Sequence, residues 1–145
     1  MKTNIFTALL VALLFLTNCS SSSDPGPQLT EEEVQINKLT KTWVLGTVTY
    51  VDDDVTDRFT DFSLTLTKSK TYTTTGSLGD YDFEPFKALG TWDFKGGDLN
   101  MITRNDGVNM EVSVTDNALF LTFIMTEANG RMAGLGSYRF DLVTQ

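Results

Sequence analysis

A chain of 145 residues with 19 acidic and 11 basic side chains, a formal charge of −8, no histidine and a single cysteine is bounded before any motif is read. Its acidity repels phosphate backbones and anionic headgroups, which counts against nucleic-acid partners and against electrostatic adsorption to lipid. One thiol and no imidazole exclude an internal disulfide, a Cys-His dyad, a Ser-His-Asp triad and a His-based metal site, so no cofactor or metal is expected and an enzyme is the least favoured class.

The first segment reads as a leader. Lys2 precedes an apolar run from Ile5 to Leu16, and the lone Cys19 stands where that run gives way to serines. About a dozen helical residues at roughly 1.5 Å each reach about 18 Å, short of a hydrocarbon core of about 30 Å, so the run does not span a bilayer. Residues Leu16-Thr17-Asn18-Cys19 resemble the lipoprotein box of bacterial signal peptides. The resemblance implies cleavage after residue 18, covalent lipid on the Cys19 thiol and a membrane partner held through that anchor. Loss of Lys2 would leave 19 acidic against 10 basic residues, and several acyl chains at about 0.8 kcal/mol per buried methylene make such an anchor effectively permanent. Ser20 after the modified position is similar to lipoproteins carried to the bacterial outer membrane, with the domain facing either the periplasm or the cell exterior. Residues 19–28, Ser-rich and then Asp24-Pro25-Gly26-Pro27-Gln28, lack apolar content and read as a flexible tether.

The folded domain is expected over residues 29–145. Thr30-Glu31-Glu32-Glu33 has the form of a capping box, with Leu29 and Val34 at the positions of a hydrophobic staple. Acidic residues in the first turn and Lys38 and Lys41 near the end suit the helix dipole, so the pattern predicts a helix to about Lys41 laid over one end of the domain. From Trp43 onward the apolar period is two. Segments 43–51, 59–68, 71–76, 89–95, 99–104, 108–115, 118–126 and 135–143 read as strands, separated by turn signals such as Gly96-Gly97, Asn105-Asp106-Gly107 and Asp116-Asn117. Short gaps force antiparallel neighbours. The expected fold is all-β, an antiparallel up-and-down barrel of about eight strands with a short N-terminal helix, because closure removes exposed edges; a two-sheet sandwich is the alternative.

Leu39-Thr40-Lys41-Thr42-Trp43-Val44-Leu45, Asp61-Phe62-Ser63-Leu64-Thr65-Leu66, Leu89-Gly90-Thr91-Trp92-Asp93-Phe94 and Gly136-Ser137-Tyr138-Arg139-Phe140-Asp141-Leu142 together resemble the lipocalin-like domains of small bacterial lipoproteins. The resemblance implies a calycin-type barrel and no particular substrate. Trp43 and Trp92 read as core residues at the barrel floor.

Three constellations bear on function. Asp52-Asp53-Asp54 with Asp57 offers clustered carboxylates, but it lacks the glycine and terminal Glu of a calcium loop, and a solvated hairpin tip is favoured. Arg104, Arg131 and Arg139 are each able to pair with a ligand carboxylate inside a barrel. Arg139 is out of phase with Tyr138, Phe140 and Leu142, so it is expected on the outer wall or in a closing salt bridge. The connection from Ser77 to Ala88 carries Tyr81, Phe83 and Phe86, and so long a loop either packs on the barrel end or lines its mouth. With Trp92, these aromatics are the candidate ligand-binding residues. The leading expectation is therefore a membrane-anchored protein holding a small apolar or amphipathic ligand in its barrel. The alternative is an envelope scaffold or surface module for glycan or protein, with a filled barrel.

Overall fold

The computed structural model describes residues 28–77, 84–127 and 134–145 of the chain. Helix α1 spans Glu31–Leu39 and opens as the sequence dictates: the Glu33 amide donates to the Thr30 hydroxyl (3.2 Å) and the Thr30 amide to the Glu33 carboxylate (2.8 Å). The Thr30 amide and the Thr30 hydroxyl (3.0 Å), both donating to that carboxylate, hold the Glu33 carboxyl below its usual range. The helix stops at Leu39, two residues before the expected end. Thr40 leaves helical geometry (φ −82°, ψ 83°), and the Leu39 carbonyl is taken by the Trp43 indole N–H (2.9 Å) and the Lys41 amide (3.0 Å). The first buried ring of the barrel thus caps the helix that precedes it. Leu39 is fully buried, Ile36 packs on the core, and Gln35 donates to the Leu99 carbonyl (3.0 Å), which seats α1 across one barrel end.

Nine strands follow among the described residues: β1 Thr42–Tyr50, β2 Asp53–Asp54, β3 Ser63–Leu66, β4 Thr71–Thr75, β5 Leu89–Lys95, β6 Asp98–Arg104, β7 Asn109–Val114, β8 Ala118–Met125 and β9 Gly136–Thr144. Apart from the two-residue β2, which flanks β1, each strand lies antiparallel to the next in sequence, and β9 returns to pair with β1 from Trp43↔Thr144 to Tyr50↔Tyr138. That last ladder closes an eight-stranded up-and-down barrel and sets the sandwich alternative aside. A bulge between Leu45 and Thr47 lets β1 follow the curvature; a Cβ on Gly46 would lie 2.6 Å from the Asp141 carbonyl oxygen, so the crossing admits only glycine without displacement.

The expected strand 59–68 is shorter than its apolar content suggests. Val51 and Asp52 make a tight turn with φ of 45° and 71°, a conformation that a β-branched residue rarely adopts, and a short 3-10 helix, Thr56–Arg58, follows β2. Asp54 accepts from both the amide and hydroxyl of Thr56 (2.9 and 2.6 Å), and Asp61 is left-handed (φ 54°). Phe59 is therefore brought inside from irregular backbone, three residues before Phe62, and the period-two burial runs from Phe62 through Leu64 and Leu66 although the strand itself starts at Ser63.

Every barrel strand contributes buried inward residues, among them Trp43, Val48, Leu64, Tyr72, Trp92, Ile102, Met110, Leu121, Phe123 and Phe140, with Leu45, Tyr50, Phe94 and Val114 partly buried against them. Hydroxyl pairs tie the outer wall across strands, with Thr42 to Thr65 at 2.9 Å and Ser63 to Thr75 at 2.6 Å. Among the described residues no helix is long and apolar enough to cross a membrane.

Candidate functional site

The end of the barrel opposite α1 gathers the second half of the long β4–β5 connection. Phe86 is not on a strand, yet it is 1% exposed. Its ring stands 5.3 Å from that of Phe140, 5.6 Å from those of Phe62 and Phe123, and 6.3 Å from that of Tyr72, mostly edge to face. Four separate segments thus surround one side chain supplied by a loop. The loop is zipped to β4 behind it, the Thr74 amide donating to the Ala88 carbonyl (2.9 Å) and the Thr74 hydroxyl to that of Lys87 (3.2 Å).

Beside Phe86 lies a charged group with a wholly buried side chain, Arg104 at the end of β6. It follows Ile102 in the inward phase, and its guanidinium carbon stands 4.7 Å from the Phe86 ring centre and just under 6 Å from those of Tyr72 and Phe123. Arg104 Nη1 donates to the Pro85 carbonyl (2.8 Å), while Nε and Nη2 form a fork on Asp106, the Nε bond at 3.1 Å. Burial alone would raise the Asp106 carboxyl; the Arg104 hydrogen bonds and charge, the Val108 amide and the nearby Lys87 outweigh it and hold the group below its usual range. Asp106 was legible in sequence only as part of a turn, Asn105-Asp106-Gly107. The signal for its second role is an inward-phase arginine with an acid two residues on.

Trp92 pairs with Arg104 across β5 and β6, is 2% exposed, and donates from its indole to the Thr71 carbonyl (3.2 Å), its ring edge-on to Phe94 at 5.6 Å. The sequence-derived aromatic set is therefore brought to the barrel interior at Phe86 and Trp92, while Cys19, Tyr81, Phe83 and Arg131 lie outside the described residues. Arg139 is on the outer wall, as its phase requires: it is bonded to Asp141 (2.7 Å) and lies over Phe120 (5.4 Å), and that ion pair raises its pKa. Asp52, Asp53, Asp54 and Asp57 are exposed at a hairpin tip and the turn after it, and the bonds from Thr56 keep the Asp54 carboxyl below its usual range. Among the described residues no group of acidic side chains is arranged to hold a metal ion.

The other concavities are on the outside. β1 pairs with β3 over only three residues, Thr42–Val44 against Ser63–Thr65, while its ladder with β9 continues to Tyr50. Where the two part, residues 56–63 border a cleft of about 660 Å³ over Val44 and Leu45. Smaller grooves of about 440 and 540 Å³ cross β6, β7 and β8 beside Met101, Glu111 and Thr122. No protein-family model, no curated protein and no solved structure matches the chain.

Proposed function

We infer that this chain is a lipid-anchored envelope protein whose barrel is a filled support and whose outer surface makes the functional contacts. The observation that supports the reading is the occupancy of the barrel by the chain's own groups. Phe86 takes the centre of an aromatic cluster, and the Arg104–Asp106 pair closes the space beside it. A ligand in the barrel would have to displace a buried ring and strip an ion pair of its setting, so a carrier role is the less favoured reading. The anchor rests on the lipoprotein box ending at Cys19 and on the tether that leads from it to α1.

The test uses the full-length lipidated protein in a zwitterionic detergent. Native mass spectrometry is expected to show no co-purifying small molecule, an apolar fluorescent probe is expected not to enter, and Phe86→Ala is expected to cost about 3–5 kcal/mol of stability, as removal of a large buried ring does. Cys19→Ser is expected to move the protein from the membrane to the soluble fraction. Stoichiometric probe uptake by the parent would overturn the filled-barrel reading, and a Cys19→Ser protein that still pellets with membranes after a high-salt wash would overturn the anchor.

A further inference from the structure

We propose that the cleft between β1 and residues 56–63 binds saccharide, taking neutral or amino sugars and refusing acidic ones; the proposal deepens, and rests on, the surface-module reading. A pyranose ring presents an apolar C–H face and a perimeter of hydroxyl groups. The cleft has the same division: half-buried Val44 and Leu45 lie at its floor, and Asp57, Thr60 and Asp61 stand exposed at its rim with Gln145. Its volume of about 660 Å³ is within the usual range for small-molecule sites of about 300–1,000 Å³, with room for a mono- or disaccharide. Each carboxylate accepts hydrogen bonds on two oxygens, and such charge-assisted bonds from sugar hydroxyls are stronger than neutral ones.

The rim is also held in place before any ligand arrives. Ser77 donates from its amide to the Thr60 carbonyl (2.8 Å) and from its hydroxyl to that of Arg58 (3.0 Å), and the Leu45 amide donates to the Phe62 carbonyl (3.2 Å). Gly76, itself at φ 79°, passes so close that an added Cβ would stand 2.1 Å from the Asp61 carbonyl oxygen, and Asp61 is kept left-handed at φ 54°. A turn pinned from beneath on both sides presents its side chains with little ordering cost left to meet on binding. Charge decides the class of sugar. Neither Asp57 nor Asp61 has an ion-pair partner among the described residues, and Asp52, Asp53 and Asp54 lie on the adjoining hairpin. A phosphorylated or uronic sugar would be repelled, whereas a hydroxyl or ammonium group would be drawn in.

The experiment titrates full-length protein, in a detergent without a sugar headgroup, with cellobiose, with a glucosamine disaccharide and with a glucuronate-containing disaccharide, followed by calorimetry and saturation-transfer NMR. Saturable binding of cellobiose or the glucosamine disaccharide, and none of the acidic one, is expected. The double variant Asp57→Ala with Thr60→Val should weaken it by about tenfold or more, the scale expected when hydrogen bonds to a charged group are removed. Asp61→Asn, which retains a residue tolerant of the left-handed backbone, should weaken it severalfold, and Glu111→Ala on β7 should leave it unchanged. The proposal is overturned if neither of the first two sugars binds saturably, if the acidic one binds best, or if both rim variants melt like the parent and bind as it does. Uptake of the apolar probe by the parent would instead strike the surface-module reading, while absent sugar binding with no probe uptake sinks the cleft and leaves that reading standing.

Discussion

The two ends of the barrel are closed by opposite means. At one end α1 supplies its own N-cap and folds back through a bond between residues four apart, Trp43 to Leu39, so the closure is built from neighbours in sequence. At the other end Arg104 reaches back 19 residues to Pro85, and Phe86 meets rings from Phe62, Tyr72, Phe123 and Phe140. Local closure uses capping and a few surface ion pairs, worth tenths to about one kcal/mol each. Remote closure removes a charge pair from water, where breaking one partner costs several times as much. The comparison teaches where this barrel is fragile: its loop end stands or falls on a few buried groups.

The largest effect is therefore expected there. Arg104→Met leaves the Asp106 side chain, 2% exposed, without its guanidinium, and Asp106→Leu strands the arginine; each should cost about 3–5 kcal/mol in urea unfolding. The double variant should cost much less than the sum, because both desolvated charges are gone. Strict additivity would mean that the two groups act separately and that the loop end has no common lock. Acid should find the same lock. The Asp106 carboxyl is depressed in the folded state, so its contribution is fully present above the ordinary carboxylate value of about 4 and is lost as pH falls through that value toward the folded one. Parent stability should decline below about pH 4, and Asp106→Asn should flatten that decline.

The same contrast explains what could be read from the residues alone. The helix start, strand alternation and hairpin turns are local, and Thr30 with Glu33, the series Leu64 and Leu66, and the out-of-phase Arg139 all stand where their patterns put them. Phe59 misled because apolar content was taken for strand, while Thr56–Arg58 formed a short 3-10 helix and Asp61 turned left-handed between β2 and β3. Phe86 was legible as a residue that either packs on the barrel end or lines its mouth, and nothing in its neighbourhood decided between the two; its burial among four rings answers for packing. The β1 cleft left no motif, because its walls come from strands that part company rather than from any one segment.

At the locally closed end the expected losses are smaller. Thr30→Ala removes the side chain that accepts from the Glu33 amide and should cost about 1 kcal/mol, as lost N-caps do. The melting temperature of the whole domain should fall in step with the helix signal, because Leu39 and Ile36 couple α1 to the core. A loss of far-UV helix signal with an unchanged barrel melt would break the comparison, by showing that α1 frays free and closes nothing.

The smallest effect should come from Lys70, which joins Glu32 of α1 (3.1 Å) to Asp93 of β5 (2.7 Å) across that same end. The hydrogen bond to Asp93, then that to Glu32, raises the Lys70 pKa, and the bond from Lys70 lowers that of Asp93. The two shifts bound a plateau. The stability from Asp93 is present above about pH 4 and fades as pH falls through its lowered value, while that from Lys70 is present below about pH 10 and fades as pH rises through its raised one. Side chains of Lys70, Glu32 and Asp93 are 31%, 52% and 68% exposed, so solvent and salt screen most of the attraction. Lys70→Gln should then cost between about 0 and 1 kcal/mol at low ionic strength and nothing measurable at about 1 M salt, where the Debye length is about 3 Å. A loss that persists undiminished at high salt would show that Lys70, whose ammonium nitrogen lies 5.7 Å from the Phe94 ring centre, holds the helix by packing rather than by charge, and would make the two ends more alike than their sequences suggest.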